Sequence, residues 1–199
     1  MRIRGPFCHL DLTLHSSYDK RKMNKKILKW ELIGIAVISI LGSVLHFVFE
    51  WSGGWEPVGV IAAVNESVWE HFKIGFWPAL FYSIFEYRFL RKSTNNFAIA
   101  KAAGIYVIPI TIAILFYSYT AIIDKEILII DILIFVMAVG LGQLTSYRML
   151  TLKPLPNILH GFGIFLIVIL AVAFGFFTFY PPHLPIFQDA LTGGYGILK

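Results

Sequence analysis

The chain has 199 residues, of which 57% are hydrophobic, 16% aromatic and only 15% charged, with a mean hydropathy of +0.72. Soluble domains run at about 45–50% apolar and roughly 25% charged, so the composition excludes a disordered chain and argues against a water-soluble fold. The single cysteine, Cys8, excludes a disulfide framework, and the net charge of +5 asks whether the partner is nucleic acid or a membrane surface.

Residues 1–26 are polar and lack periodicity, and they read as a disordered or mis-called N-terminal extension. Met23-Asn24-Lys25-Lys26-Ile27 itself resembles the start of a bacterial membrane protein; starting there removes five basic and two acidic residues and lowers the net charge to +2. The first apolar block, 27–51, carries Ser39, Ser43, His46 and Glu50 along one narrow polar stripe. Trp55 to Val64 is apolar, punctuated by Pro57 and Gly59, and too short to span, which predicts a re-entrant or interfacial outer loop.

Four further apolar blocks follow at 72–89, 97–123, 127–147 and 158–180. Each approaches the roughly 20 residues that a helix needs to cross a bilayer. The breaks between them are polar or proline-rich: Arg91-Lys92-Ser93-Thr94-Asn95-Asn96, Asp124-Lys125-Glu126 and Lys153-Pro154-Leu155-Pro156-Asn157. The predicted fold is an all-α polytopic membrane bundle of five transmembrane helices. The tail, 181–199, is rich in proline and glycine yet holds Leu184, Ile186, Phe187 and Tyr195, so it is expected to fold back over the bundle.

Charge sets the predicted orientation. With the N-terminus cytoplasmic, 14 of the 17 basic residues fall inside, leaving Lys73, Lys125 and Lys199 outside. That is the positive-inside pattern, with five spans placing the C-terminus outside the inner (cytoplasmic) membrane. Nucleic acid is not supported, because the basic residues flank membrane segments rather than forming a binding surface. The lipid bilayer is the expected partner, and oligomeric state is not legible.

The acids lie opposite. His46 and Glu50 are four apart near the outer end of the first span, and Asn65-Glu66-Ser67-Val68-Trp69-Glu70-His71 opens the second. Ser67-x-x-Glu70 has the form of a capping box, and Asn65 is a good N-cap, which accounts for part of this segment structurally. The remaining groups suit chemistry: Glu66 or Glu70 as a general base with His71, and His46, Glu50, Glu70 and His71 as ligands for a divalent metal. His183 or Asp189 is expected to approach from the tail. Glu86 is expected to pair with Arg88 or to meet His160. These features predict a metal- or proton-linked enzyme acting on a small-molecule or lipid-type substrate, a small cation or solute transporter, or an assembly partner of another membrane protein.

With the Asn65–His71 segment and the tail Pro182-His183-Leu184-Pro185-Ile186-Phe187-Gln188-Asp189 followed by Thr192-Gly193-Gly194-Tyr195-Gly196, the chain resembles a family of small bacterial multi-pass membrane proteins that is a domain of unknown function. That resemblance implies a membrane bundle and brings no activity. Ser67-x-x-x-His71 also resembles the Ser-x-x-x-His of membrane-embedded metal hydrolases such as alkaline ceramidases and progestin/adipoQ-type receptors, but their seven spans and late His-x-x-x-His pair have no counterpart here.

Overall fold

A computed structural model describes the backbone of residues 7–197 and the side chains of residues 22–197. Five long helices make up the fold: α1 (Phe7–Trp51), α2 (Val68–Leu90), α3 (Phe97–Ile123), α4 (Leu128–Leu150) and α5 (Ile158–Phe179). Two short 3-10 turns, Glu56–Val60 and Pro185–Phe187, lie in the α1–α2 connection and in the tail. Helix α1 runs unbroken through the residues before Ile27, where the sequence reading places a structureless extension. Residues 1–6, also part of that expected extension, lie outside the described residues.

Each helix ends for a local reason. Ser67 caps α2, its hydroxyl accepting the N–H of Glu70. Asp124 closes α3 in the left-handed conformation (φ 54°), so that the chain reverses into α4. The prolines after Lys153 prevent α4 from continuing into α5. Asn96 ties these ends together: its amide donates to the carbonyls of Met149 (3.1 Å) and Lys153 (3.0 Å), and its carbonyl accepts the N–H of Leu155 (2.9 Å).

Helix α2 packs against α1 and α3, α4 packs against α1 and α3, and α5 lies against α3. The main core gathers Ile38, Phe72, Phe76, Tyr82, Ile105, Ile108, Val139 and Phe174 from all five helices. The outward faces remain apolar: Ile40, Ile114, Ile122, Leu128 and Val172 are each at least 60% exposed. A surface so apolar over so many helices is stable in lipid and not in water. Among the described residues, four helical segments are long and apolar enough to cross a membrane: Lys22–Trp51, Phe97–Ile123, Leu128–Leu150 and Ile158–Phe179. Helix α2 is the exception to the five expected, because Glu70, Lys73, Glu86 and Arg88 lower its hydropathy.

The α1–α2 connection dips between the helices instead of crossing the surface. Ala62, Ala63 and Val64 are buried there. Lys73 donates to the Gly59 carbonyl (2.6 Å) and the Trp77 indole to the Val60 carbonyl (2.9 Å), while the Val64 N–H donates to the Glu70 carboxylate (3.1 Å). Backbone buried away from water needs such partners, and side chains of α2 supply them.

Helices α3 and α4 approach backbone to backbone. A Cβ placed on Gly104 would sit 2.7 Å from the Gly142 carbonyl oxygen, and one on Gly142 would sit 2.7 Å from the Gly104 oxygen. Gly104→Ala or Gly142→Ala therefore forces the pair apart and is expected to cost about 1–3 kcal/mol. Gly140→Ala, whose added carbon meets open space, serves as the control in thermal unfolding of the detergent-solubilised protein.

Candidate functional site

The turn from Asn65 to Ser67 sets the site. Asn65 accepts the N–H of Ser67 (2.9 Å) and donates to the carbonyl of Gly196 (2.8 Å). Asp189 accepts the N–H of Glu66 through one oxygen (2.7 Å) and the N–H and hydroxyl of Thr192 through the other (2.7 and 2.6 Å). The tail thus lies back across the start of α2, with Phe187 against the Trp69 ring (4.8 Å between centroids). Held in this way, the Glu66 side chain turns towards α1.

There it meets two histidines. Glu66 Oε2 lies 3.4 Å from His46 Nε2 and 3.8 Å from His71 Nε2. The donor atoms of His46, Glu66 and His71 all fall within 4.8 Å of one another. His71 Nδ1 is 2.9 Å from the Ser67 carbonyl oxygen. A carbonyl only accepts, so Nδ1 carries a proton, and Nε2 is the ring nitrogen on the Glu66 side. Ligands around a tetrahedral zinc at about 2.0–2.2 Å stand roughly 3–3.5 Å apart, so two edges of this triangle are already near that spacing. The hydrogen bond from His46 holds the Glu66 carboxyl below the usual glutamate range, against the burial that would raise it.

The triangle forms one wall of a cavity of about 280 Å³. Ile112, Phe116, Leu128, Ile134 and Phe135 from α3 and α4 make its apolar walls, and Glu126 and Asp131 its far polar side. Asp131 is held by the Tyr119 hydroxyl (2.6 Å). Burial, reinforced by Asp131, Glu66 and Asp189, pushes the Glu126 carboxyl up. Acids crowded in this way favour a cation in the space between them.

The arrangement revises the set expected from sequence. Glu70 does not join the histidines: it is buried beneath the connecting loop and paired with Lys73. Glu66 lies in the non-helical turn ahead of α2, so it shares no helix face with Glu70. Glu70 and His71 are successive residues of α2, about 100° apart, and face different neighbours. Glu50 is exposed and outside the cluster, four residues along α1 from His46. His183 is exposed against Tyr195 (4.6 Å between centroids). Asp189 reaches the site, through the backbone of Glu66 and not as a ligand.

Two charged groups expected at surfaces are interior. Lys101, counted with the inner basic loop, is 2% exposed on α3 and ion-pairs with both Glu31 (2.6 Å) and Glu86. Glu86 accordingly meets neither Arg88, which is exposed, nor His160, which lines a separate crevice beside Asn95 and Asn96. Glu126 and Asp131 line the cavity with His46 and His71, an approach to the histidines that their distance along the chain hides.

Residues 19–197 match the model of a family of unknown function (DUF6512). The chain belongs to that family. No curated protein matches the chain, and no solved structure matches it.

Two outcomes test this geometry. Lys73→Met leaves the Glu70 carboxylate buried without its cation and is expected to destabilise the protein by about 3–5 kcal/mol, with Glu70→Gln in the same chain recovering part of the loss in thermal unfolding. For the tail, burial raises the Asp189 carboxyl, but hydrogen bonds from Thr192 and from the Glu66 and Leu191 backbone outweigh it and hold it below the usual range. Its folded value lies under its unfolded one, so tail docking is at full strength above about pH 3.9 and is lost as pH falls through the lowered folded value. Limited proteolysis between Leu184 and Tyr195 reads this, and Asp189→Asn, which turns an acceptor into a donor facing N–H groups, should release the tail at neutral pH.

Proposed function

We propose that this is a five-span inner-membrane protein that binds a divalent transition-metal ion through His46, Glu66 and His71 and uses it to hydrolyse an amphipathic, lipid-type substrate. The observation that carries the reading is the convergence of those three donors on the wall of a cavity with apolar sides. Two imidazoles and a carboxylate are a common zinc set with three protein ligands, which leaves a coordination position for water. Held by His46, Glu66 and His71, such an ion would act as a Lewis acid that activates water. Asp131 and Glu126, across the cavity, are placed to take or return a proton. A cavity of about 280 Å³ holds a head group while the chains lie along the exposed apolar faces of α3 and α4.

Helix α2 is read as the fifth span because three of its four charged residues are paired or buried inside the bundle. Its 23 residues reach about 34 Å at 1.5 Å per residue, enough for the hydrocarbon layer. Lys25, Lys26, Lys29, Arg88, Arg91, Lys92, Arg148 and Lys153 gather at the opposite end from the histidines, which supports a cytoplasmic N-terminus and an outward-facing site.

Metal analysis of protein purified and dialysed against zinc tests the proposal. About one ion per chain is expected, with His46→Ala, Glu66→Gln and His71→Ala each lowering affinity by at least about ten-fold, and Glu50→Gln leaving it unchanged. Equal metal content in all variants overturns the site. Metal binding together with zinc flux into proteoliposomes, and no lipid hydrolysis, replaces the enzyme by a transporter.

A further inference from the structure

A second polar site lies at the other end of the same two helices, independent of any metal. Glu31 on α1 and Glu86 on α2 stand fifteen residues from His46 and His71 respectively, about 22 Å along each helix at 1.5 Å per residue. Both carboxylates share the Lys101 ammonium. Glu31 is 2% exposed, Glu86 0% and Lys101 2%. Ser146 donates to the Glu31 oxygen that already meets Lys101 (2.9 Å). Gln143 donates to the Glu31 backbone carbonyl (3.3 Å), and the Tyr82 hydroxyl is taken by the Trp30 carbonyl. Glu31 Oε2 and Glu86 Oε1 are left buried with no hydrogen-bond donor.

The charges do not cancel. Helix α1 contributes Glu31, α2 contributes Tyr82 and Glu86, α3 contributes Lys101, and α4 contributes the neutral Gln143 and Ser146. Two carboxylates against one ammonium leave one negative charge inside an apolar bundle, where an uncompensated charge costs several kcal/mol. A structural staple between helices needs only one acid and one base. The surplus acid and the two orphaned oxygens are what a bound proton requires: a hydrogen on one carboxylate neutralises the cluster and removes the uncompensated charge. Glu31 lies five residues from Lys26 and Glu86 five from Arg91, so both sit within about two turns of the basic end, from which the proton exchanges.

We propose that Glu31, Glu86 and Lys101 form a proton-binding site that holds one exchangeable proton at neutral pH. The test is infrared difference spectroscopy on the full chain reconstituted in vesicles, in water and deuterium oxide, across a pH titration. The expected result is one buried protonated-carboxyl band at neutral pH that shifts on deuteration and is lost reversibly at alkaline pH. Glu86→Gln and Glu31→Gln, which keep shape and hydrogen bonding, should each abolish the band, and Lys101→Met should double it. Absence of the band from the wild-type protein at neutral pH overturns the proposal, as does a band that persists in both glutamine variants. A band that appears only when sodium is replaced by choline also overturns it and puts an alkali cation in the proton's place. The wild-type measurement is decisive whether or not a given variant folds.

Discussion

A lysine with no access to water organises the half of this molecule that carries His46 and His71. Lys73 is 0% exposed and is satisfied by the Glu70 carboxylate, the Gly59 carbonyl and the Thr178 hydroxyl. Those partners belong to α2, to the connecting loop and to α5, so one desolvated charge draws three parts of the chain to one point. An ammonium in an apolar interior is tolerated only when its hydrogens are used. The loop therefore descends beside α2 because its carbonyls are needed there. Once it does, Asn65 to Ser67 is fixed at the mouth of the bundle and the tail can dock on it through Asp189.

Helix α2 thereby acquires two working faces. Glu70, Lys73 and Trp77 share the face that holds the loop and the α5 side. His71, one residue on from Glu70, turns into the cavity that α1, α3 and α4 enclose. Helical geometry places adjacent residues about 100° apart, and the segment that reads as a single cluster along the chain divides into a structural half and a site half. The site half is completed by Glu66, whose non-helical backbone frees it to point across at His46.

The five helices, four of them long and apolar enough to cross a membrane, and most of their ends were legible because they follow from local rules: apolar blocks of bilayer length, prolines that stop helices and charges that flank them. The polar stripe of α1 does not act as one unit: His46 lines the cavity, whereas Ser43 and Glu50 are exposed. What could not be read was pairing. Lys73 and Lys101 look like interfacial bases in the sequence, yet each is buried against carboxylates, Lys101 against partners fifteen and seventy residues away. For the same reason Glu70 reads as a capping or site acid and Glu86 as a partner of Arg88 or His160, when Lys73 and Lys101 hold them.

The sequence by itself determined an apolar, helical, membrane-type chain with most of its basic residues towards one end and most of its acids, with His46 and His71, towards the other. It did so because hydropathy and helix termination are properties of consecutive residues. Only the tertiary structure decided which acids are spent on neutralising buried lysines and which remain for chemistry. Coulomb attraction and desolvation act between groups that meet in space, and the net charge of +5 carries no record of those meetings. Glu66 with two histidines, and Glu31 with Glu86 around one lysine, emerge only after the helices have packed.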